Sequence, residues 1–435
     1  MKNRNWLIPV AGLLAATPVQ MAQAQAGAPP PPSASSTAPS IAGWDEFVES
    51  LRVLPGRMLA KLPEDQRNDP QVQQEVGRLA LEALTSQTMD VLAGDPDHPV
   101  FMPQIGQVLN VGQPNADTVY RTARVRPDGV YRLRGVRGSL RLFNVSQGPP
   151  SPGEPGFKPD KGAPRPRHDF SSLHVDAHDR FDVILSPERP AGYTGDWWKL
   201  EPTTTRLLVR MVAADWAHER NPTLTIERLD VPATRPRPSG EVLEQRLRAL
   251  PGAVNFIALL FVDHVEKLRQ EGYVNKLKVF DSTMIPGLLA GQHYYEGAYD
   301  LADDEALIVE TPVPAKCGYH SLILTNEIYE TTDWYNNLSS LNDAQSKPDK
   351  DGVLRIVISA KDPGVPNWLD TAGYPKGLIQ GRWADCDASP TPMVRKVALA
   401  DVRKLLPPET PVVSTEQRDR LIRDRRMSLQ ERPLW

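Results

Sequence analysis

One run of this chain gathers more side chains able to do chemistry than any other: "CGYHSLILTNEIYETTDWYNNLSSLND", residues 317–343. Within it Tyr319, His320, Asn326, Tyr329, Asp333, Trp334, Tyr335 and Asn336 bracket an apolar strand, Leu322 to Leu324. Aromatic rings beside amides and a carboxylate suit a pocket for a sugar or a small polar organic molecule, which they stack on one face and hydrogen-bond at the edge. His320 can transfer protons near neutral pH, so one reading makes His320 and Asp333 a general acid–base pair. Tyr319, Asn326, Tyr329, Trp334, Tyr335 and Asn336 are then the ligand-binding candidates, with or without catalysis. The plainer reading is a strand that enters a long loop pinned by its own tyrosines.

Other clusters are thinner. In "HVDAH" the residues His174, Asp176 and His178 would share a strand face, a donor set that suits iron or zinc. The segment reads better as a turn whose side chains meet water, so no metal is expected. "HYYEGAYD" (293–300) reads as a connector that packs its rings, or as a flap over a cavity, and "PNADTVY" reads as a turn organised by Asn115 and Asp117 ahead of Tyr120. Arg382 and Asp385 beside Trp383 read as an internal ion pair in preference to an anion site. No nucleophile elbow, no P-loop and no dinucleotide-binding glycine motif is present, so no cofactor is expected.

The elements that position these residues change character along the chain. Phe47, Leu51, Leu54 and Met58, then Val72, Val76, Leu79 and Ala83, recur at helical spacing. From Thr118 the period shortens, and "TVYRTARVRPDGVYRLRGVRGSLRLFNVS" alternates about Pro127-Asp128-Gly129 as a hairpin does. "HDRFDVILSPERP" (178–190) matches "DGVLRIVISAKDP" (351–363), placing Phe181, Val183 and Leu185 on Leu354, Ile356 and Ile358. Further on the match sets Trp198 on Trp368, Leu208 on Leu378, Ala214-Asp215 on Ala384-Asp385, and Pro222 on Pro392. A register kept over so many points reads as a duplication, with each indole plugging the end of its own β unit.

The expected fold is therefore α+β and β-rich: two related antiparallel β-sandwich units, jelly-roll-like, with an N-terminal helical segment and a helical insertion between them. The boundaries read as a helical segment over 41–110, a first β unit over 115–235, a helical connector over 236–309, a second β unit over 310–405 and a tail over 406–435. Forty-three prolines against 29 glycines, mostly between apolar runs, agree with many short strands.

"PNADTVYRTARVRPDGVYRLRGVRGS" and "DKDGVLRIVISAKDPGVPNWLDTAG" resemble the hallmark segments of the proteins grouped as domain of unknown function 1214, often found with companion domain 1254. The resemblance covers most of the chain beyond residue 100, although no clear companion domain is visible. It implies a jelly-roll-like sandwich with helical additions, frequently exported, and brings no agreed activity or catalytic set.

Residues 1–26 have signal-peptide grammar: Lys2 and Arg4, an apolar segment from Trp6 to Ala16, then "MAQAQAG". Residues 27–40 are a Pro/Ser/Ala spacer. A periplasmic or secreted protein is expected, with no membrane span after cleavage, because the stretch Val254 to Val265 is short and carries Asn255, Asp263 and His264. In an oxidising compartment Cys317 and Cys386 could pair. A net charge of −4 with mixed signs offers no basic stripe for nucleic acid. The expected partner is a small molecule or glycan, and a homo-oligomer is left open. Two functions stand side by side: a protein that binds a small polar or aromatic molecule or glycan in an aromatic-lined cleft, or a cofactor-independent hydrolase or lyase that uses His320.

Overall fold

The computed structural model describes residues 40–150, 154, 156–157, 166–280 and 291–433. The expected signal peptide and nearly all of the spacer lie outside the described residues.

Helices come first, as the spacing requires. α1 (Trp44–Leu59), α2 (Glu64–Arg67) and α3 (Pro70–Gln87) are followed by a π-helical turn, Thr88–Leu92. Asp69 starts α3 by accepting from the Gln71 amide at 2.8 Å, ahead of a proline in the first turn where no amide is needed. Leu54, Met58, Val72, Val76, Leu79 and Ala83 then meet Leu250, Ala253, Val254 and Ala258 of α4 (Gly240–Leu260) in one buried cluster. With α5 (His264–Gln270), this later stretch is long and apolar enough, by composition alone, to cross a membrane. That differs from the expectation of too short a run. Here its apolar stripe is spent on α1, α3 and a neighbouring sheet, as in the core helix of a globular domain.

Among the described residues seventeen strands build four sheets, eight strands in the first unit and nine in the second. In the first unit β1 (Thr118–Arg124), β7 (Arg206–Val212), β3 (Leu142–Gly148) and β4 (Arg167–Asp169) lie side by side in that order. Its second sheet runs β6 (Asp196–Lys199), β5 (Arg180–Ser186), β2 (Tyr131–Val136), β8 (Thr223–Arg228). In the second unit the order is β13 (Ser340–Asn342), β12 (Cys317–Thr325), β16 (Lys376–Cys386), β10 (Gln292–Asp300), extended by the two-residue β9 (Lys278–Val279). Opposite lie β15 (Trp368–Asp370), β14 (Val353–Ser359), β11 (Glu305–Pro312) and β17 (Met393–Ala398).

Taken in chain order from β1 and from β10, the two units have the same neighbours throughout. Phe181, Val183 and Leu185 point inward with Val145 and Val209, and Leu354, Ile356 and Ile358 do so with Leu322, Leu324 and Ile379.

Four expectations change. The units are not purely antiparallel, since β5 with β6 and β14 with β15 run parallel. The second unit starts at Gln292, inside the expected connector, because "HYYEGAYD" is an interior strand hydrogen-bonded on both edges. The tail holds a short helix α6 (Val402–Leu405) and a docked helix α7 (Thr415–Gln430), closed at its start by a Ser414–Gln417 capping box. Finally, Trp368 corresponds in pairing to Trp197, not Trp198: Ile184 faces Trp197 and Val357 faces Trp368, while Leu185 faces Trp198 and Ile358 faces Leu369. A slip of one residue exchanges sheet faces. Trp198 therefore sits among Phe170, Val183 and Leu185 in the buried cluster of the first unit, whereas Trp368 lies on the outer side of its sheet with Val357 and Val402.

Candidate functional site

The outer faces of the β1-β7-β3-β4 and β10-β16-β12-β13 sheets look toward each other, and a cavity of about 270 Å³ lies between them. This is near the lower end of the range for small-molecule sites, roughly 300–1,000 Å³. Strand alternation selects which side chains reach it. On β7, Leu207, Val209 and Met211 fill the sandwich, so Leu208, Arg210 and Val212 face the cavity. On β16, Ile379 and Trp383 fill the other sandwich, so Gln380 and Arg382 face it.

The two sheets present matched pairs. Tyr120 stands directly across the ladder from Arg210, and Tyr294 directly across from Arg382. The Arg382 guanidinium lies 5.1 Å from the centre of the Tyr294 ring and donates to Gln380 Oε1 at 3.2 Å. Arg210 donates to Ser146 Oγ at 2.9 Å. Gln380 in turn donates to the Tyr329 hydroxyl at 3.3 Å, and Tyr329 stacks on Phe261 at 4.6 Å. Ile257, Leu260, Phe261 and Phe280 make an apolar wall beside these polar groups.

Gly381, between Gln380 and Arg382, is required for space: a Cβ there would sit 2.0 Å from the Tyr295 ring that crosses β16. Two of the six non-glycine residues with positive φ among the described residues, Gln113 (57°) and Tyr329 (71°), line this cavity. Backbone strain of that kind clusters at functional sites.

Burial raises the pKa of the Tyr294, Tyr319 and Tyr329 hydroxyls, which stay protonated and able to donate. Burial lowers that of Arg210, opposed by Tyr120 and Tyr294 and reinforced by the charge of Arg382. The Gln104 Nε2, Gln113 Nε2 and Arg382 Nε atoms are buried without a hydrogen-bond partner. Unpaired donors of this kind cost stability unless a ligand or water meets them.

Of the residues named as catalytic or ligand-binding candidates, Tyr319 and Tyr329 line the cavity and the others do not, whereas Asn115, Tyr120, Tyr294 and Arg382 of the thinner clusters line it as well. Tyr319 donates to Asp117 Oδ2 at 2.6 Å and accepts from Asn115 Nδ2 at 2.8 Å, which joins the two units. "PNADTVY" is thus more than the expected turn: Asp117 Oδ1 also accepts from Trp216 Nε1 at 2.8 Å and Asn342 Nδ2 at 2.7 Å. Asn326 folds its own loop, donating to Glu330 Oε2 at 2.7 Å. Trp334 packs with Trp216 and Leu429, and Tyr335 packs beside them. Asn336 is exposed and donates to Asp333 Oδ2 at 2.7 Å.

His320 and Asp333 are not brought together. The imidazole points into the second sandwich, 5.1 Å from the Trp383 ring, and neither ring nitrogen has a hydrogen-bond partner. Burial lowers its pKa, against the opposing pull of Asp343. Asp333 is exposed and accepts from the Tyr335 and Asn336 amides at 3.0 Å, as a turn residue does. Arg382 and Asp385 form no ion pair either: three residues apart on one strand they take opposite faces, and Asp385 accepts from Arg167 at 3.0 Å. Cys317 and Cys386, facing each other across β12 and β16, are joined as a disulfide. His174 bonds to Asp196 at 2.8 Å and Asp176 to Arg180 at 2.8 Å, and no cluster of metal-ligating side chains occurs among the described residues.

Sequence reading missed Arg210 altogether, took Tyr120 for part of a turn, and held Tyr294 over a cavity and Arg382 at an anion site only as the less favoured alternatives. The signal was present: in "RLLVRMV" and "LIQGRWA" an arginine interrupts a strand too apolar to be a solvated edge.

No family model matches the chain, and no curated protein does. Among solved structures it is similar to a putative uncharacterized protein from Burkholderia cenocepacia, at 26% identity and a TM-score of 0.75, over 83% of this chain and 98% of that one. It also matches the VPA0106 protein from Vibrio parahaemolyticus at 12% identity and a TM-score of 0.43, over 74% of this chain and 99% of that one. The first defines the class: a strand-rich α+β protein whose arrangement extends over nearly the whole of that neighbour.

Proposed function

We propose that this is an exported binding protein of the domain of unknown function 1214 kind, made of two copies of one jelly-roll-like sandwich, which holds a single small molecule between them. One observation carries the reading. Tyr120, Tyr294, Tyr319 and Tyr329, together with buried donors that lack partners, converge on a partly open cavity where the two units meet. Such a space favours a small polar or aromatic molecule over an extended glycan. Matching strand order and the equivalent Tyr120–Arg210 and Tyr294–Arg382 pairs support the common origin of the units. The disulfide supports an oxidising compartment, as does the leader-like start of the chain.

The test is a thermal-shift screen of sugars, aromatic acids, sterols and divalent metals, run in parallel on Leu208→Trp, which fills the cavity from β7. Hits should vanish in that variant while its circular dichroism stays unchanged. Hits that persist would place the site elsewhere. Release of the protein to the periplasm or medium, measured by cell fractionation, checks the export.

A further inference from the structure

Taking the cavity as the binding site, we infer that its occupant is an organic carboxylate with a flat, largely apolar body, its anionic group gripped between Arg210 and Arg382. Among the described residues the lining contains no aspartate and no glutamate. Three guanidiniums line this space: Arg206 pairs with Asp90, whereas Arg210 and Arg382, on equivalent strands, form no ion pair among the described residues, Arg210 bonding to Ser146 and Arg382 to Gln380. Arg382 is only 6% exposed, and its Nε is unpartnered.

Arginine keeps its proton in proteins, so two like charges share one cavity lining, Arg382 buried and Arg210 partly buried. Burial and the charges of Arg382 and Arg167 work against the charge of Arg210, while at Arg382 burial is outweighed by Tyr294, Tyr319, Tyr120 and Asp117. At Arg210 the arrangement is costly when empty and is relieved by an anion. A carboxylate has two oxygens and about four lone-pair positions, enough to accept from both guanidiniums.

The rest of the ligand follows from the remaining walls. Phe261, Phe280, Ile257 and Leu260 offer no hydrogen bonds, and the Tyr120, Tyr294 and Tyr329 rings offer faces to stack on. An inorganic anion would leave that wall uncovered. A neutral ring would leave the arginines unpaired.

Calorimetric titration of the full chain at pH 7.5 and low salt, with benzoate, cinnamate, 2-naphthoate, benzamide and inorganic phosphate, tests this. At least one of the three carboxylates should saturate a single site, with benzamide and phosphate weaker by about 30-fold or more. Arg210→Gln and Arg382→Gln should each weaken that carboxylate by about 30-fold or more. Without ligand, both variants should melt at or above the wild-type temperature, which a merely structural arginine would not allow. Equal binding of benzamide, or unchanged affinity in both variants, would remove the anion requirement while leaving the cavity reading intact. Phosphate binding as tight as the carboxylates would refute the apolar body. Failure of all three carboxylates overturns the inference, and the separate Leu208→Trp screen decides whether the cavity binds anything else.

Discussion

The most consequential single residues are buried charges, and each has a distinct purpose. Asp117 is 1% exposed and is held by three side-chain donors from both units, Tyr319, Trp216 and Asn342. Removing its charge leaves those donors half-used, so Asp117→Ala should cost about 3–5 kcal/mol in chemical denaturation; a loss under 1 kcal/mol would contradict this role. Glu82 behaves differently. Burial, with the nearby charge of Glu330, pushes its pKa up from 4.5 to about 7. The folded state then binds more protons than the unfolded chain between those values, so stability falls as pH rises from about 4.5 to about 7 and levels off above. Glu82→Gln should flatten that part of a melting-temperature profile, and an unchanged slope would count against it. Very little at this scale was legible in advance. Sequence shows that Asp117 and Arg382 exist, but whether a charge meets water, a partner or a cavity depends on contacts across some 200 positions, such as Tyr319 with Asn115.

At the scale of elements, alternation along strands made the buried faces readable: Phe181, Val183 and Leu185 and their counterparts were placed on buried faces from letters alone, and they are buried. Alignment of the indoles failed because a loop changes length between strand and indole, and one residue is enough to reverse a face. The consequence is testable. Trp368 is 5% exposed, with the Arg418 guanidinium 5.0 Å from its ring centre and its Nε1 donating to Ser359 Oγ at 3.0 Å. Trp197 makes the same bond to Ser186 at 2.9 Å but stays partly open under Arg189. Trp368→Ala should therefore cost about 3–5 kcal/mol and Trp197→Ala less than half of that. Equal losses in urea unfolding would show that the covering helix does not matter. That helix, α7, was read as a tail because its mean composition is polar. It docks through Arg418, Arg425 and Leu429 instead of an apolar stripe, with Arg425 4.2 Å from the centre of the Trp216 ring.

The whole molecule follows from these links. Asp117 and Tyr319 cross between the units, Arg432 reaches the Asp117 carbonyl at 2.9 Å, and Arg425 donates to the Trp334 carbonyl at 3.0 Å. With both sandwiches and α7 sharing buried bonds, unfolding should be cooperative. Scanning calorimetry is expected to give one transition, and two separable peaks would contradict the coupling. A cavity at such a junction needs both units in place, which explains why no local stretch of sequence announced it: the aromatic loop at 329–336 drew the eye, while the site is assembled from strands about 90 and 170 residues apart. The most direct check of the central claim is a crystal structure of the chain soaked with the best carboxylate from the titration. Ligand density should lie between Tyr120 and Tyr294, with oxygens within hydrogen-bond reach of both Arg210 and Arg382. Density over the loop around Trp334 and Tyr335, with the cavity left to water, would contradict it.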